Sequence, residues 1–202
     1  NEGQNFSAGA NLAMLFMFAG DQEYDEINLM IAQFQRTMMR ARFSSVPVVS
    51  APAGMALGGG CELSLHCDAI QAHAETYTGL VEPAVGIIPG WGGCNEMLTR
   101  WSVSPNRPGG PVPPVRKAFE IISVSTVAKS ADEAKDFLFL RPEDGITMNR
   151  YRLLADAKAR ALALAADYTP PEPVALALPG AGAWAGMKMA VEDFRRRGLA
   201  TP

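Results

Sequence analysis

Several kinds of residue that mark a specialised chain are scarce here. Three cysteines, Cys61, Cys67 and Cys94, cannot all pair within one chain. That argues against a disulfide framework and for a reducing compartment, the cytoplasm being the simplest. The two histidines, His66 and His73, stand at no zinc-binding spacing from those cysteines, so no metal site is expected. Basic residues are in slight deficit, 18 Lys and Arg against 21 Asp and Glu for a net charge of −3. A nucleic-acid binder usually carries a basic footprint, and none is seen. The apolar run from Leu12 to Ala19 is too short to span a bilayer. No basic region precedes it, so it does not read as a secretory signal. No G-x-S-x-G elbow, P-loop or G-x-G-x-x-G fingerprint occurs, which excludes the commonest hydrolase, nucleotide and dehydrogenase motifs. Internal repeats and coiled-coil heptads are also lacking.

What remains is ordinary globular material: 202 residues, 48% hydrophobic and 19% charged. That length suits one well-buried core and is short for two independent domains. We therefore expect a single domain over 1–202, with residues 1–101 as its core. A loop at 102–114, containing five prolines and two adjacent glycines, leads to a helical region at 115–202. The opening Asn5-Phe6-Ser7-Ala8-Gly9-Ala10 already resembles the interior of a domain, and the tail stops without a docking segment. Both ends are expected to be incomplete.

Residues 4–8 read as the end of a strand and Asn11 to Ala19 as a helix apolar nearly all round. A second helix, about Asp25 to Phe43, carries Ile27, Met30, Ile31, Phe34, Met38 and Met39 at helical spacing, a stripe expected to fill the core. Its acidic residues lie early and its arginines late, which suits the helix dipole. Val46 to Ala51 is a valine-rich strand that delivers the chain to the run Gly58-Gly59-Gly60. A helix is expected from Cys61 to His66, and strands at Asp68 to Ala74 and Thr76 to Gly79. After a loop at Pro83 to Pro89, Gly90-Trp91-Gly92-Gly93 opens a helix to about Trp101. Further helices follow at about Val115 to Ser123, Ala131 to Phe137, Arg150 to Tyr168 and Ala183 to Arg197. Strands alternating with helices argue for an α/β architecture.

The candidate chemistry centres on the glycine run. Amides at a helix N-terminus are unsatisfied donors at the positive end of the dipole, which suits a developing oxyanion. The same three glycines also suit a tight strand-to-helix turn, and composition does not choose. Glu62 follows the run and Glu82 lies twenty positions further on, both among apolar or glycine neighbours. Two carboxylates facing one pocket divide labour, one taking a proton and one giving it. Solvated or ion-paired surface glutamates are the alternative. Ser64 and His66, two apart on a helix, face different ways and do not make a nucleophile and base. The run Arg195-Arg196-Arg197 reads as a solvated helix end.

The stretch from Pro47 through Gly58-Gly59-Gly60-Cys61-Glu62-Leu63, with Cys67-Asp68, Glu82-Pro83 and Gly86-Ile87-Ile88-Pro89-Gly90-Trp91-Gly92-Gly93, resembles the signature of the enoyl-CoA hydratase/isomerase (crotonase) family. Phe6-Ser7-Ala8-Gly9-Ala10-Asn11-Leu12 resembles its upstream motif, which has aspartate where Asn11 stands. The likeness is strong over residues 5–100. Further on, Ile146 to Arg150 and the following helix resemble the bacterial branch that joins a 3-hydroxyacyl-CoA dehydrogenase part to a hydratase part.

The resemblance implies a spiral of ββα turns, assembled as a trimer or hexamer or as part of a fusion protein. It implies an acyl-CoA thioester substrate, with coenzyme A part of the substrate and no separate cofactor. Its oxyanion amides would be those of Ala10 and Gly59, and its catalytic carboxylates Glu62 and Glu82. The Gly90 amide would lie near the reacting water, the backbone of Phe6 to Ala10, including Ala8, near the adenine end of coenzyme A. Trp91 stands where a small residue is common and would narrow or cover the acyl pocket. Both glutamates together favour hydration of a trans-2-enoyl-CoA. The alternatives are another reaction of a coenzyme A enolate, such as isomerisation, and a non-catalytic acyl-CoA-binding or assembly module. Which glutamate is acid and which is base stays open.

Overall fold

The computed structural model describes residues 3–105 and 109–198. Two helices come first, α1 (Leu12–Gly20) and α2 (Tyr24–Arg42). Asn11 caps α1, its Oδ1 accepting from the Met14 N–H at 3.2 Å. The chain then winds into a spiral. β1 (Val49–Ser50), β2 (Gly54–Leu57) and α3 (Gly59–His66) make one turn. β3 (Ala69–His73) and β4 (Thr76–Gly79) make the next, followed by a short 3₁₀ turn, Glu82–Val85, and α4 (Gly93–Val103). Then come α5 (Val112–Ser123), α6 (Glu133–Asp136), β5 (Gly145–Thr147), α7 (Leu153–Ala165) and α8 (Ala181–Arg196).

Each strand pairs in parallel with its counterpart one turn later. Val49 of β1 lies opposite Ala69 of β3, Gly54 of β2 opposite Thr76 of β4, and Gln71 of β3 opposite Gly145 of β5. Parallel partners need a crossover between them, and α3 supplies it for the first two pairs. The result is the α/β spiral of ββα turns with a helical C-terminal region. Ser7 adds a bridge to Ala56, so the upstream segment lies alongside β2. Its backbone is held there by Phe6 N to Ala53 O and Ser7 N to Met55 O, both 2.9 Å.

The core lies where α3, α4 and α5 cover the strands, around Leu65, Ile70, Leu80, Met97, Phe139 and Leu140. β3 is buried on both faces, which explains why its sequence does not alternate cleanly. Two buried polar groups stitch distant segments together. The Arg100 guanidinium donates to the carbonyls of Leu65, Leu138 and Phe139 at 2.9–3.1 Å. Asp144 accepts from the Ile70 N–H at 2.8 Å and the Arg141 N–H at 2.7 Å. All three cysteines are free. Among the described residues no helix is long and apolar enough to cross a membrane.

Several local expectations are corrected. Residues 4–8 form one isolated bridge rather than a strand end. The valine-rich strand shortens to Val49–Ser50, while β2 and β5, whose own residues carry little strand signal, form through pairing with neighbouring turns. The Pro/Gly-rich loop is shorter than 102–114, because α4 runs to Val103 and α5 starts at Val112. Pro113 and Pro114 sit in the first turn of α5, where the missing N–H has no intrahelical partner to lose. Asn106, Arg107 and Pro108 of that loop lie outside the described residues. The region after it is not purely helical, since β5 returns to the sheet, and α6 is a single turn. Finally, only Met38 of the α2 stripe is buried. The helix packs over α3 from outside and leaves Phe34 and Met39 partly in solvent.

Candidate active site

The site begins at the turn between β2 and α3. Gly58 has φ 54° and ψ −123°, a conformation that an L side chain resists, and its N–H holds the end of β4 through Gly79 O at 2.9 Å. Gly59 is the first residue of α3, so its N–H has no partner within the helix. The upstream motif arrives beside it. A Cβ on Gly58 would lie 3.7 Å from the Gly9 Cα, so the residues preceding Ala10 and Gly59 are packed together. Among the described residues no acceptor takes either the Ala10 or the Gly59 N–H. Two amides without an acceptor among the described residues thus flank the Gly9–Gly58 contact.

Glu62 projects from the first turn of α3 and is 1% exposed. Its Oε1 accepts from two backbone amides, Trp91 at 2.9 Å and Gly93 at 2.8 Å. Burial pushes its carboxyl up to about 7; the Gly93 amide opposes this, the charge of Glu82 adds to it, and the Trp91 amide opposes it. Glu82 opens the 3₁₀ turn after β4, and its Oε1 would stand 3.2 Å from a Cβ on Gly58. Its Oε2 is buried, and no hydrogen-bond partner for it exists among the described residues. Burial raises its pKa as well. Cys94, whose thiol is raised by burial, also feels the charges of both glutamates. Glu82 and Gly9 thus both pack on Gly58, and Glu62 lies within range of the Glu82 charge.

The remaining residues of the motif fall as follows. Phe6 is half-buried and Ala8 exposed. Gly90 is held through its carbonyl, which accepts from Gln35 Nε2 at 2.7 Å. The amides that reach Glu62 are those of Trp91 and Gly93, which the motif reading did not assign. The Trp91 ring occupies the space where a Gly59 side chain would stand, and stacks on Phe34 with centroids 3.9 Å apart. Nothing in the α2 stripe distinguished Phe34 from core filling. Behind the site, His66 Nδ1 lies 2.7 Å from Glu62 O, and burial holds its pKa below the usual value. A carbonyl only accepts, so Nδ1 carries the proton of a neutral ring. Arg42 Nε pairs with the buried Glu96 at 3.5 Å next to it. Among the described residues no group of three or more His, Cys, Asp or Glu is placed to hold a metal. A cavity of about 350 Å³ lies elsewhere, between Val103, Pro114 and Leu176, and none of these groups lines it.

The chain is similar to several known proteins. A family profile described as Enoyl-CoA hydratase/isomerase matches residues 2–101. A Bacillus subtilis (strain 168) protein named probable 3-hydroxyacyl-CoA dehydrogenase is 40% identical over 98% of this chain, which spans 25% of that protein. A probable enoyl-CoA hydratase of Rhizobium meliloti (strain 1021) is 36% identical over 47% of this chain and 34% of its own length. The crystal structure of an enoyl-CoA hydratase from Polaromonas sp. JS666 superposes with a TM-score of 0.63 at 26% identity, over 81% of this chain and 56% of that one. The chain is thus much shorter than the relatives it matches. Over residues 2–101, the segment carrying both amides and both glutamates, it belongs to the enoyl-CoA hydratase/isomerase family.

Proposed function

We propose that the protein is an enoyl-CoA hydratase, adding water across the double bond of a trans-2-enoyl-CoA to give the 3-hydroxyacyl-CoA of fatty-acid β-oxidation. The observation that carries this reading is buried Glu62 and half-buried Glu82, the latter packed against the Gly58 turn beside the unclaimed Gly59 amide. A thioester oxygen seated on the Ala10 and Gly59 amides has its developing enolate charge stabilised by donors that need no reorganisation. C2 and C3 then face the carboxylates. The two amides on Glu62 Oε1 favour its ionised form, so Glu62 is assigned as base. Glu82, with a buried oxygen that meets no donor, is assigned as acid. Water oxygen bonds to C3 as Glu62 takes its proton, and the C2=C3 π electrons move into the enolate. Collapse of the enolate takes a proton from Glu82 onto C2. Net, one water is consumed, and proton return from Glu62 to Glu82 resets the pair.

The 40% identity over nearly the whole chain to a quarter of a protein named as a dehydrogenase supports a further reading. We infer that this chain acts as the hydratase part of a longer polypeptide, in the cytoplasm, the alternative being a homo-oligomer, trimer or hexamer.

Crotonyl-CoA tests the activity: its enoyl ultraviolet absorbance falls as the double bond is hydrated. The protein is expected to bleach it, and Glu62→Gln and Glu82→Gln each to slow this by about 10²–10⁴-fold. Binding without bleaching, unaffected by either substitution, would show a module that only holds acyl-CoA. A shifted rather than hydrated double bond in the product would show an isomerase.

A further inference from the structure

Trp91 is tied to the site at three points. Its N–H holds Glu62 Oε1 at 2.9 Å, and its ring fills the space on Gly59 where a side chain would stand. The ring also stacks on Phe34 of α2, with centroids 3.9 Å apart and planes inclined by 14°. The neighbouring Gln35 fastens Gly90 through its carbonyl, so α2 holds both the indole and the loop that carries it. Phe34 is 39% exposed, which makes the aromatic pair a wall between Glu62 and the outer surface of α2.

A thioester whose oxygen sits at the Gly59 amide, and whose C2–C3 bond faces Glu62, continues beyond C3 from between two residues that Trp91 touches. The next carbons of the acyl group therefore meet the indole. Building on the hydratase reading, we propose that the Trp91–Phe34 stack is the chain-length gate of the acyl site. Closed as seen here, it admits short 2-enoyl groups and blocks long ones, which pass only when the stack opens. With the Phe34 ring gone, the indole loses the aromatic face it stacks on at that side.

The test compares kcat/KM for dodecenoyl-CoA with that for crotonyl-CoA in the wild type, Trp91→Ala and Phe34→Ala. The wild type is expected to favour the short thioester, and both substitutions to raise the long-to-short ratio at least tenfold. Phe34 is partly exposed, so its variant reads the gate even if Trp91→Ala fails to fold. A ratio within threefold of wild type in Phe34→Ala, or an equal loss with both substrates, would overturn the gate and leave the stack a structural contact. Calorimetric binding of butyryl-CoA and lauroyl-CoA to the same proteins reads the same discrimination without turnover. If the wild type hydrates neither substrate, the hydratase reading fails while the binding ratio still decides the gate.

Discussion

Replacing Glu62 by Gln should make the protein more stable at alkaline pH while slowing its proposed activity by about 10²–10⁴-fold. Burial raises the Glu62 carboxyl from 4.5 to about 7 even with the Gly93 and Trp91 amides on its Oε1. The folded chain therefore binds the proton more tightly than the unfolded one, and native stability falls as pH rises through that window. The cost is absent well below pH 4.5 and complete above pH 7. At 1.36 kcal/mol per unit, ionising Glu62 in the folded state costs about 3 kcal/mol, of which about 2.5 kcal/mol appears between pH 5 and pH 9. The Gln amide keeps a carbonyl oxygen for both N–H donors but never ionises, so the variant escapes that cost. Urea unfolding of both proteins at the two pH values measures it. The variant should gain about 2.5 kcal/mol on the wild type between pH 5 and pH 9. A difference between the two proteins that stays constant with pH would refute the argument, since it would mean that Glu62 ionises as freely in the fold as in water.

Three other substitutions probe the frame around it. In Gly59→Ala the new methyl enters the volume of the Trp91 ring, so overpacking of about 1–3 kcal/mol and a changed indole fluorescence are expected, with at least a tenfold loss of crotonyl-CoA hydration. Arg100→Met strips donors from the buried carbonyls of Leu65, Leu138 and Phe139. Denaturant unfolding should show a loss of about 3 kcal/mol or more, and under about 1 kcal/mol would contradict the pinning role. Asp144→Asn leaves only one acceptor oxygen for the Ile70 and Arg141 amides and turns an N–H₂ group toward one of them; about 1–3 kcal/mol should be lost, read from the melting temperature.

Stability and chemistry pull against each other at this site. Buried Glu62 costs the fold free energy above neutral pH, yet the same burial brings its carboxyl close to neutrality, the range suited to proton transfer. Arg100 presents the opposite case. Burial lowers it only to about 10, so it stays charged at neutral pH, and its two terminal nitrogens reach three carbonyls from two segments while Nε meets no acceptor among the described residues.

Sequence by itself determined the α/β class, through strands alternating with helices, and the helix that follows the glycine run. It also raised Glu62 and Glu82 as candidates, since charged residues among apolar neighbours are uncommon, but only the resemblance to the family's motifs gave them a role. These are short-range signals: propensity, periodicity and residue type act over a few positions. Tertiary structure decided the rest. The amides on Glu62 come from 29 and 31 positions away, and the Arg100 bonds cross 35 to 39. β2 and β5 exist because the next or previous turn offers them a partner, not because their residues insist on a strand. The α2 stripe has core periodicity, yet α2 lies outside α3, and Phe34 faces Trp91 instead of the core. Periodicity tells a helix which face is apolar; only the winding of the spiral tells it what that face will meet.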